Sequence, residues 1–160
     1  MTPVLALLLG VSLAAEQSAA SATYISGEEI AAALEQSIAE NVIDHPVRAA
    51  DVPGGHRASL AILHRTKPET SALIHERVTE IYQVIEGSGT LMTGGSLDDA
   101  KPTDLTRLNA GPSQTGAHRG GTSRRVGPKD VIIVPAGMPH RFSQLDGPIT
   151  YLVYRFEPAK

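Results

Sequence analysis

The stretch "HERVTEIYQVIEG", residues 75–87, opens on a histidine, reaches the carboxylate of Glu80 five positions later, and then alternates apolar and polar residues up to a glycine. Period-two alternation is the mark of a strand with one buried face, and it sets Glu80, Tyr82 and Val84 on one side and Ile81, Gln83 and Ile85 on the other. The run Gly87-Ser88-Gly89 that follows reads as a hairpin turn and is too short for a phosphate-binding loop. A histidine and a glutamate beside a hairpin are, taken alone, ordinary surface polars. Ligands elsewhere in the chain decide whether they are also half of a metal site.

The same punctuation recurs along the chain. "ASLAILHR" (58–65), "SALIHE" (71–76), "GTLMTG" (89–94), "DVIIVPAG" (130–137), "HRFSQL" (140–145) and "TYLVYRFE" (150–157) are short runs of β-branched, apolar or aromatic residues separated by Gly, Pro or Asp. Many short strands with no long helix among them predict an all-β sandwich, jelly roll or barrel. In "PHRFSQ", His140, Phe142 and Gln144 share a face by the same alternation. If that face and the face of Glu80 line one barrel, His75, Glu80 and His140 converge on a divalent cation with Tyr82 beside it. Two imidazoles and a carboxylate leave positions open for water or substrate, a donor set suited to iron, zinc, manganese, cobalt or nickel.

Residues 57 to 157 resemble a cupin. The first cupin motif runs Gly, five residues, His-x-His, three or four residues, Glu, six residues, Gly; His75 stands at its second histidine, Glu80 at its glutamate and Gly87 at its closing glycine. The second motif runs Gly, five residues, Pro-x-Gly, two residues, His, three residues, Asn, and "KDVIIVPAGMPHRFSQ" matches it at Pro135, Gly137 and His140. The departures are Leu73 at the first histidine, Lys67 and Lys129 at the leading glycines and Gln144 at the terminal asparagine. The resemblance implies a double-stranded β-helix, or jelly-roll barrel, and three metal ligands: His75, Glu80 and His140. Leu73 cannot serve as the fourth.

Composition narrows the function classes. A chain of 160 residues, 41% of them hydrophobic, suits one domain with a single core. Fourteen basic against seventeen acidic residues give a net charge of −3 with no basic block, which argues against nucleic acid as a partner. The absence of cysteine excludes disulfides, thiolate ligands, a cysteine nucleophile and lipoprotein acylation. The apolar run Val4 to Ala15, followed by Ala20-Ser21-Ala22, reads as a cleaved secretory leader over 1–22, too short to cross a bilayer as a mature helix. That places the mature protein in the periplasm or outside the cell, with no membrane attachment after leader removal. Residues 23–56 read as an N-terminal helix and arm: Ser26 and Glu29 form a capping box ahead of a helix over about 27–40, with Ile30, Leu34 and Ile38 on one face. The Pro- and Gly-rich remainder reads as an irregular arm with a strand or two, and the barrel is expected over 57–160.

Other residues bear on chemistry. His64 shares a face with Leu60 and Ile62 and is either a structural histidine or an inward-pointing ligand or base; Tyr82 is either a core aromatic or a proton carrier. Arg124 and Arg125 can grip a substrate carboxylate or form surface ion pairs, and Phe142 and Gln144 are further candidates for substrate contact. His118 is an alternative fourth ligand, whereas His45 and His56 read as solvated. The segment 93–126, polar and rich in Gly and Pro, reads as a long loop that covers the barrel mouth or packs on a second subunit in a homodimer. Together these features predict a metal-dependent enzyme acting on a small organic molecule by oxygenation, elimination or isomerisation. The alternative is a non-catalytic binding or sensing module that uses the same pocket.

Overall fold

The computed structural model describes residues 21–159, so the leader expected over 1–22 lies, up to residue 20, outside the described residues. One helix, α1 (Gly27–Ala39), precedes eleven strands: β1 (Asp44–Val52), β2 (His56–Arg65), β3 (Ala72–His75), β4 (Thr79–Glu86), β5 (Gly89–Thr93), β6 (Ser96–Leu105), β7 (Gly111–Arg119), β8 (Thr122–Val126), β9 (Val131–Val134), β10 (His140–Leu145) and β11 (Ile149–Glu157). The strands form two antiparallel sheets, one in the order β1-β2-β11-β4-β9 and the other β6-β7-β3-β10-β5-β8.

The helix begins where Ser26 predicts. Ser26 Oγ accepts a hydrogen bond from the Glu29 amide at 3.1 Å, an N-cap that contributes about 1 kcal/mol. The Glu29 side chain, however, does not close the box; its carboxylate accepts from Arg48 Nε of β1 at 2.9 Å and so ties helix to sheet. Ala33 and Ser37 are buried, Ile30 and Leu34 pack on Leu60, Ile62 and Leu152, and Ile38 stays exposed. The stripe that faces the sheet is thus 30-33-34-37, rotated slightly from the expected 30-34-38. Part of the expected arm is sheet: β1 pairs with β2 from Asp44↔Leu63 to Val52↔His56, so hydrogen bonding crosses the expected boundary at residue 57.

Between the sheets lies the main core, in which Leu63, Tyr82, Val84, Leu91, Phe142 and Tyr151 are packed together. β2 is buried on both faces: Ala61 and Leu63 face this core, while Leu60 and Ile62 lie beneath α1. Apart from Leu152, which lies beneath α1, the outer face of β11, β4 and β9 has no such cover, and Ile85, Val131, Ile133, Tyr154 and Phe156 are exposed there.

Two expectations are corrected. Gly87-Ser88-Gly89 is not a hairpin turn, because β4 and β5 belong to different sheets; the run is a corner that carries the chain across the barrel edge. Residues 93–126 are not a long loop. β6 and β7 form an antiparallel hairpin closed by a 3-10 turn, Thr106–Leu108, and β8 is the edge strand beyond β5. Pro102, Pro112 and the polar residues of this hairpin hide the alternation, since nearly all of its side chains are partly or fully exposed.

The corner explains the glycine at 87. Its φ is +78°, and a Cβ there would stand 2.1 Å from the Pro148 carbonyl oxygen and 2.8 Å from Ile149 Cα. Gly94 has the same φ with open space around it. Gly94→Ala should therefore cost only left-handed strain, about 1 kcal/mol, whereas Gly87→Ala adds a clash between backbones and should cost more than about 2 kcal/mol. Urea unfolding of the two variants tests this, and equal costs would refute the corner geometry.

Candidate metal centre

β3 ends on His75, β4 brings in Glu80 near its start, and β10 begins on His140, so the two imidazoles come from one sheet and the carboxylate from the other. All three are buried. Glu80 Oε2 lies 3.4 Å from His75 Nε2 and 3.4 Å from His140 Nε2, and the three donor atoms fall within 4.8 Å of one another. Donors about 2.1 Å from a shared ion stand roughly 3.0–3.5 Å apart at octahedral to tetrahedral angles, so the two separations from Glu80 suit a transition metal and the group could hold one.

The far side of each imidazole fixes its tautomer. His140 Nδ1 lies 2.9 Å from the Met138 carbonyl, which can only accept, so the ring donates there and, in its neutral form, has its lone pair at Nε2. His75 Nδ1 lies 2.8 Å from Ser113 Oγ. Ser113 donates to the Gly111 carbonyl at 3.1 Å and is left to accept from His75, which again bares Nε2.

Glu80 is held from both sides. Its Oε1 accepts from Arg155 Nε at 2.8 Å and its Oε2 from the Tyr82 hydroxyl at 2.7 Å. Burial pushes the Glu80 carboxyl up, but hydrogen bonds with His140 and His75 and the Arg155 charge outweigh it and hold the group well below the usual carboxylate range. Burial lowers His140, and the hydrogen bond and charge of Glu80 more than reverse this, leaving it raised. Burial first and the Glu80 charge second push the Tyr82 phenol well up, so it keeps its proton. Arg155 was not among the candidates from sequence. It is buried, reaches Asp44 and the Leu108 carbonyl as well as Glu80, and is held charged: burial opposes the charge, but Asp44 and Glu80 prevail.

The group opens into a cavity of about 260 Å³. Its walls are Ile43, Leu63, Leu73, Leu105 and Leu108, and its charged lining is Asp44, Arg65, Glu69, Glu80 and Arg155. Larger hollows on the outer surface, of about 370 and 340 Å³ beside Arg57 and Glu157, contain none of the three donors.

No family model and no curated protein matches the sequence. Among solved structures, BH2720 from Bacillus halodurans superposes with a TM-score of 0.51 at 16% identity, covering 86% of this chain and 82% of that one. The fold is a cupin-type barrel. Hydroquinone 1,2-dioxygenase from Sphingomonas sp. TTNP3 gives 0.44 at 12% identity over 64% of this chain and 60% of that one. The nucleoside dehydratase Pac13 of Streptomyces gives 0.39 at 12%, over 73% and 78%.

Within this cupin barrel the other sequence candidates separate. Tyr82 lines the cavity, with its hydroxyl on Glu80. His64 does not point inward: the face it shares with Leu60 and Ile62 is the helix-covered one, and its Nδ1 bonds Thr150 Oγ1 at 2.9 Å. Phe142 is fully buried beneath Tyr82, 6.4 Å between stacked rings, and does not line the cavity. Gln144 is exposed because the register of β10 slips between Phe142 and Gln144 and breaks the alternation; its Oε1 meets Thr90 Oγ1. Arg125 lies on the edge strand β8, exposed and paired with Asp146 and Ser88, away from the cavity. His118 bonds the Gly94 carbonyl at 2.7 Å and is no fourth donor.

If Ser113 orients His75 for metal, Ser113→Ala should weaken metal affinity about tenfold without unfolding the barrel. Competition against a chromogenic chelator measures it, and an unchanged affinity would refute the tautomer assignment.

Proposed function

We propose that the protein is a metal-dependent enzyme of the cupin type acting on a small organic molecule, of the dioxygenase, lyase or isomerase kind. The observation that carries this reading is the convergence of His75 Nε2 and His140 Nε2 on Glu80 Oε2, each 3.4 Å from it, in the lining of a 260 Å³ cavity. A divalent transition metal held by His75, Glu80 and His140 would supply a Lewis acid for a ligated oxygen or, as iron(II), a redox centre.

The chain's own residues supply the rest. Leu63, Leu73, Leu105 and Leu108 exclude water from one side of the cavity, which strengthens every charge interaction inside it. Tyr82 is the candidate proton donor: it lines the cavity in its protonated form, with its hydroxyl donating to Glu80 Oε2. A second reading, a binding or sensing module without turnover, is favoured by Leu73, an apolar side chain lining the cavity where the resemblance places a fourth ligand.

Elemental mass spectrometry on protein purified without chelator or affinity tag should find near one transition metal per chain, lost in His140→Ala with the fold retained by circular dichroism. A metal-free protein, even after reconstitution with iron, zinc, manganese and nickel, would refute the metal-dependent reading. Tyr82→Phe should keep the metal. It should lower turnover by about a hundredfold or more in an enzyme, and leave ligand-induced stabilisation intact in a binder.

The exposed apolar residues on β11, β4 and β9 support a homodimer. Light scattering on the purified chain should give twice the monomer mass, falling toward the monomer in Val131→Lys/Ile133→Lys. A monomeric wild-type protein at micromolar concentration would rule the dimer out. A periplasmic or secreted location rests on the leader-like sequence of residues 1–22.

A further inference from the structure

The charges that line the cavity balance in pairs, with one left over. Arg65 Nη2 meets Glu69 Oε1 at 2.9 Å, with side chains 12% and 16% exposed. Arg155 meets Asp44 in the same way, with side chains 3% and 17% exposed. Each pair is neutral, and neither arginine gives up its charge. Arg155 also reaches Glu80, so three carboxylates, Asp44, Glu69 and Glu80, share two guanidiniums, and the lining carries one negative charge in excess. A divalent ion on Glu80 therefore leaves the cavity one positive charge in excess. In a small site walled by leucines such an excess is poorly screened, and burying it without a counterion is costly.

We propose, on the basis of the metal-site reading above, that the ligand of this cavity is a small monoanion: one carboxylate, phenolate or enolate oxygen group on an apolar body. A dianion would reverse the imbalance, a neutral molecule would leave it, and a cation would double it. The apolar body has a place to lie along Leu63, Leu73, Leu105 and Leu108. The Arg65–Glu69 pair, neutral while both members are present, is the part of this balance that can be altered without touching a metal donor. Arg65 is further anchored by donating from Nε to the Tyr151 hydroxyl at 2.7 Å, and Glu69 by accepting from the Phe142 amide at 2.7 Å, so both charges are fixed in the cavity wall.

The test uses the purified chain reconstituted with Co(II), whose visible absorption reports ligands on the metal without any turnover. The probes are benzoate, benzamide, benzylammonium and phenyl phosphate. Benzoate is expected to perturb the spectrum and to bind at least about tenfold tighter than each of the other three. Glu69→Gln, which leaves Arg65 unmatched, should tighten benzoate about tenfold and bring phenyl phosphate toward parity. Arg65→Met, which leaves Glu69 unmatched, should weaken benzoate about tenfold. The double variant, neutral again, should return near the wild-type value. A variant that merely damaged the wall would weaken binding in both single variants and more so in the double, and that pattern overturns the proposal. Co(II) binding without preference for the monoanion overturns it too, while leaving the metal site intact. Failure to bind Co(II) removes both readings together.

Discussion

Glu80 is a carboxylate placed in the middle of a protein core, only 2% exposed, and much of the structure follows from the need to keep it charged there. An ionised group without partners in such a place would cost several kcal/mol and would simply take up a proton. Both of its oxygens are instead occupied, Oε1 by Arg155 and Oε2 by Tyr82 and the two histidines. Arg155 is a buried cation in turn, and its own needs reach outward to Asp44 at the start of β1 and to the Leu108 carbonyl in the 3-10 turn. The first strand, the β6–β7 hairpin and the last strand are thus joined through one guanidinium to one carboxylate. Removing Arg155 would strand two carboxylates at once, which makes it a worse position to vary than any of the metal-donor candidates.

This chain of dependence also explains what the sequence discloses and what it conceals. Glu80, Tyr82 and Val84 fall on one face by strict alternation, and the structure buries all three. Arg155 obeyed the same rule: Tyr151, Val153 and Arg155 alternate along β11 and are all buried. The signal was present, but an arginine near the chain's end in a run of tyrosines reads as a surface residue, because its partner Asp44 lies 111 positions away. His64 failed for a different reason. β2 is apolar on both faces, so alternation groups Leu60, Ile62 and His64 correctly but cannot say whether that group meets the barrel or a helix. Only α1, packed across it, decides. Gln144 failed because a slip of one position in a strand turns every later side chain over. The hairpin of 96–119 escaped notice because a half-exposed pair of strands has no apolar face to reveal its period.

The metal-donor set itself was the most legible part of the chain, since its three members sit at or near strand ends where spacing is fixed by the turns between strands. His75 closes β3, and four residues later β4 has begun; the Pro135–Met138 turn aims His140 by taking its Nδ1 hydrogen on the Met138 carbonyl. What spacing could not supply was the second layer, because Ser113 and Arg155 come from strands remote in sequence.

Leu73 shows how the departure from the motif and the chemistry of the cavity belong together. It stands opposite His140 in the pairing of β3 with β10 and two residues before His75, so its side chain reaches the same cavity that a fourth donor would occupy. An imidazole there would complete the ion's shell and add a polar wall. Leucine leaves coordination positions open and makes that wall apolar, which disfavours a hydrated, multiply charged ligand and favours a compact body with one charged end. With three donors in place of the motif's four, the affinity for an ion held there would depend more on how firmly those three are held. Ser113, the Met138 carbonyl and Arg155 each hold one of the three side chains by a hydrogen bond to an atom other than Nε2 or Oε2.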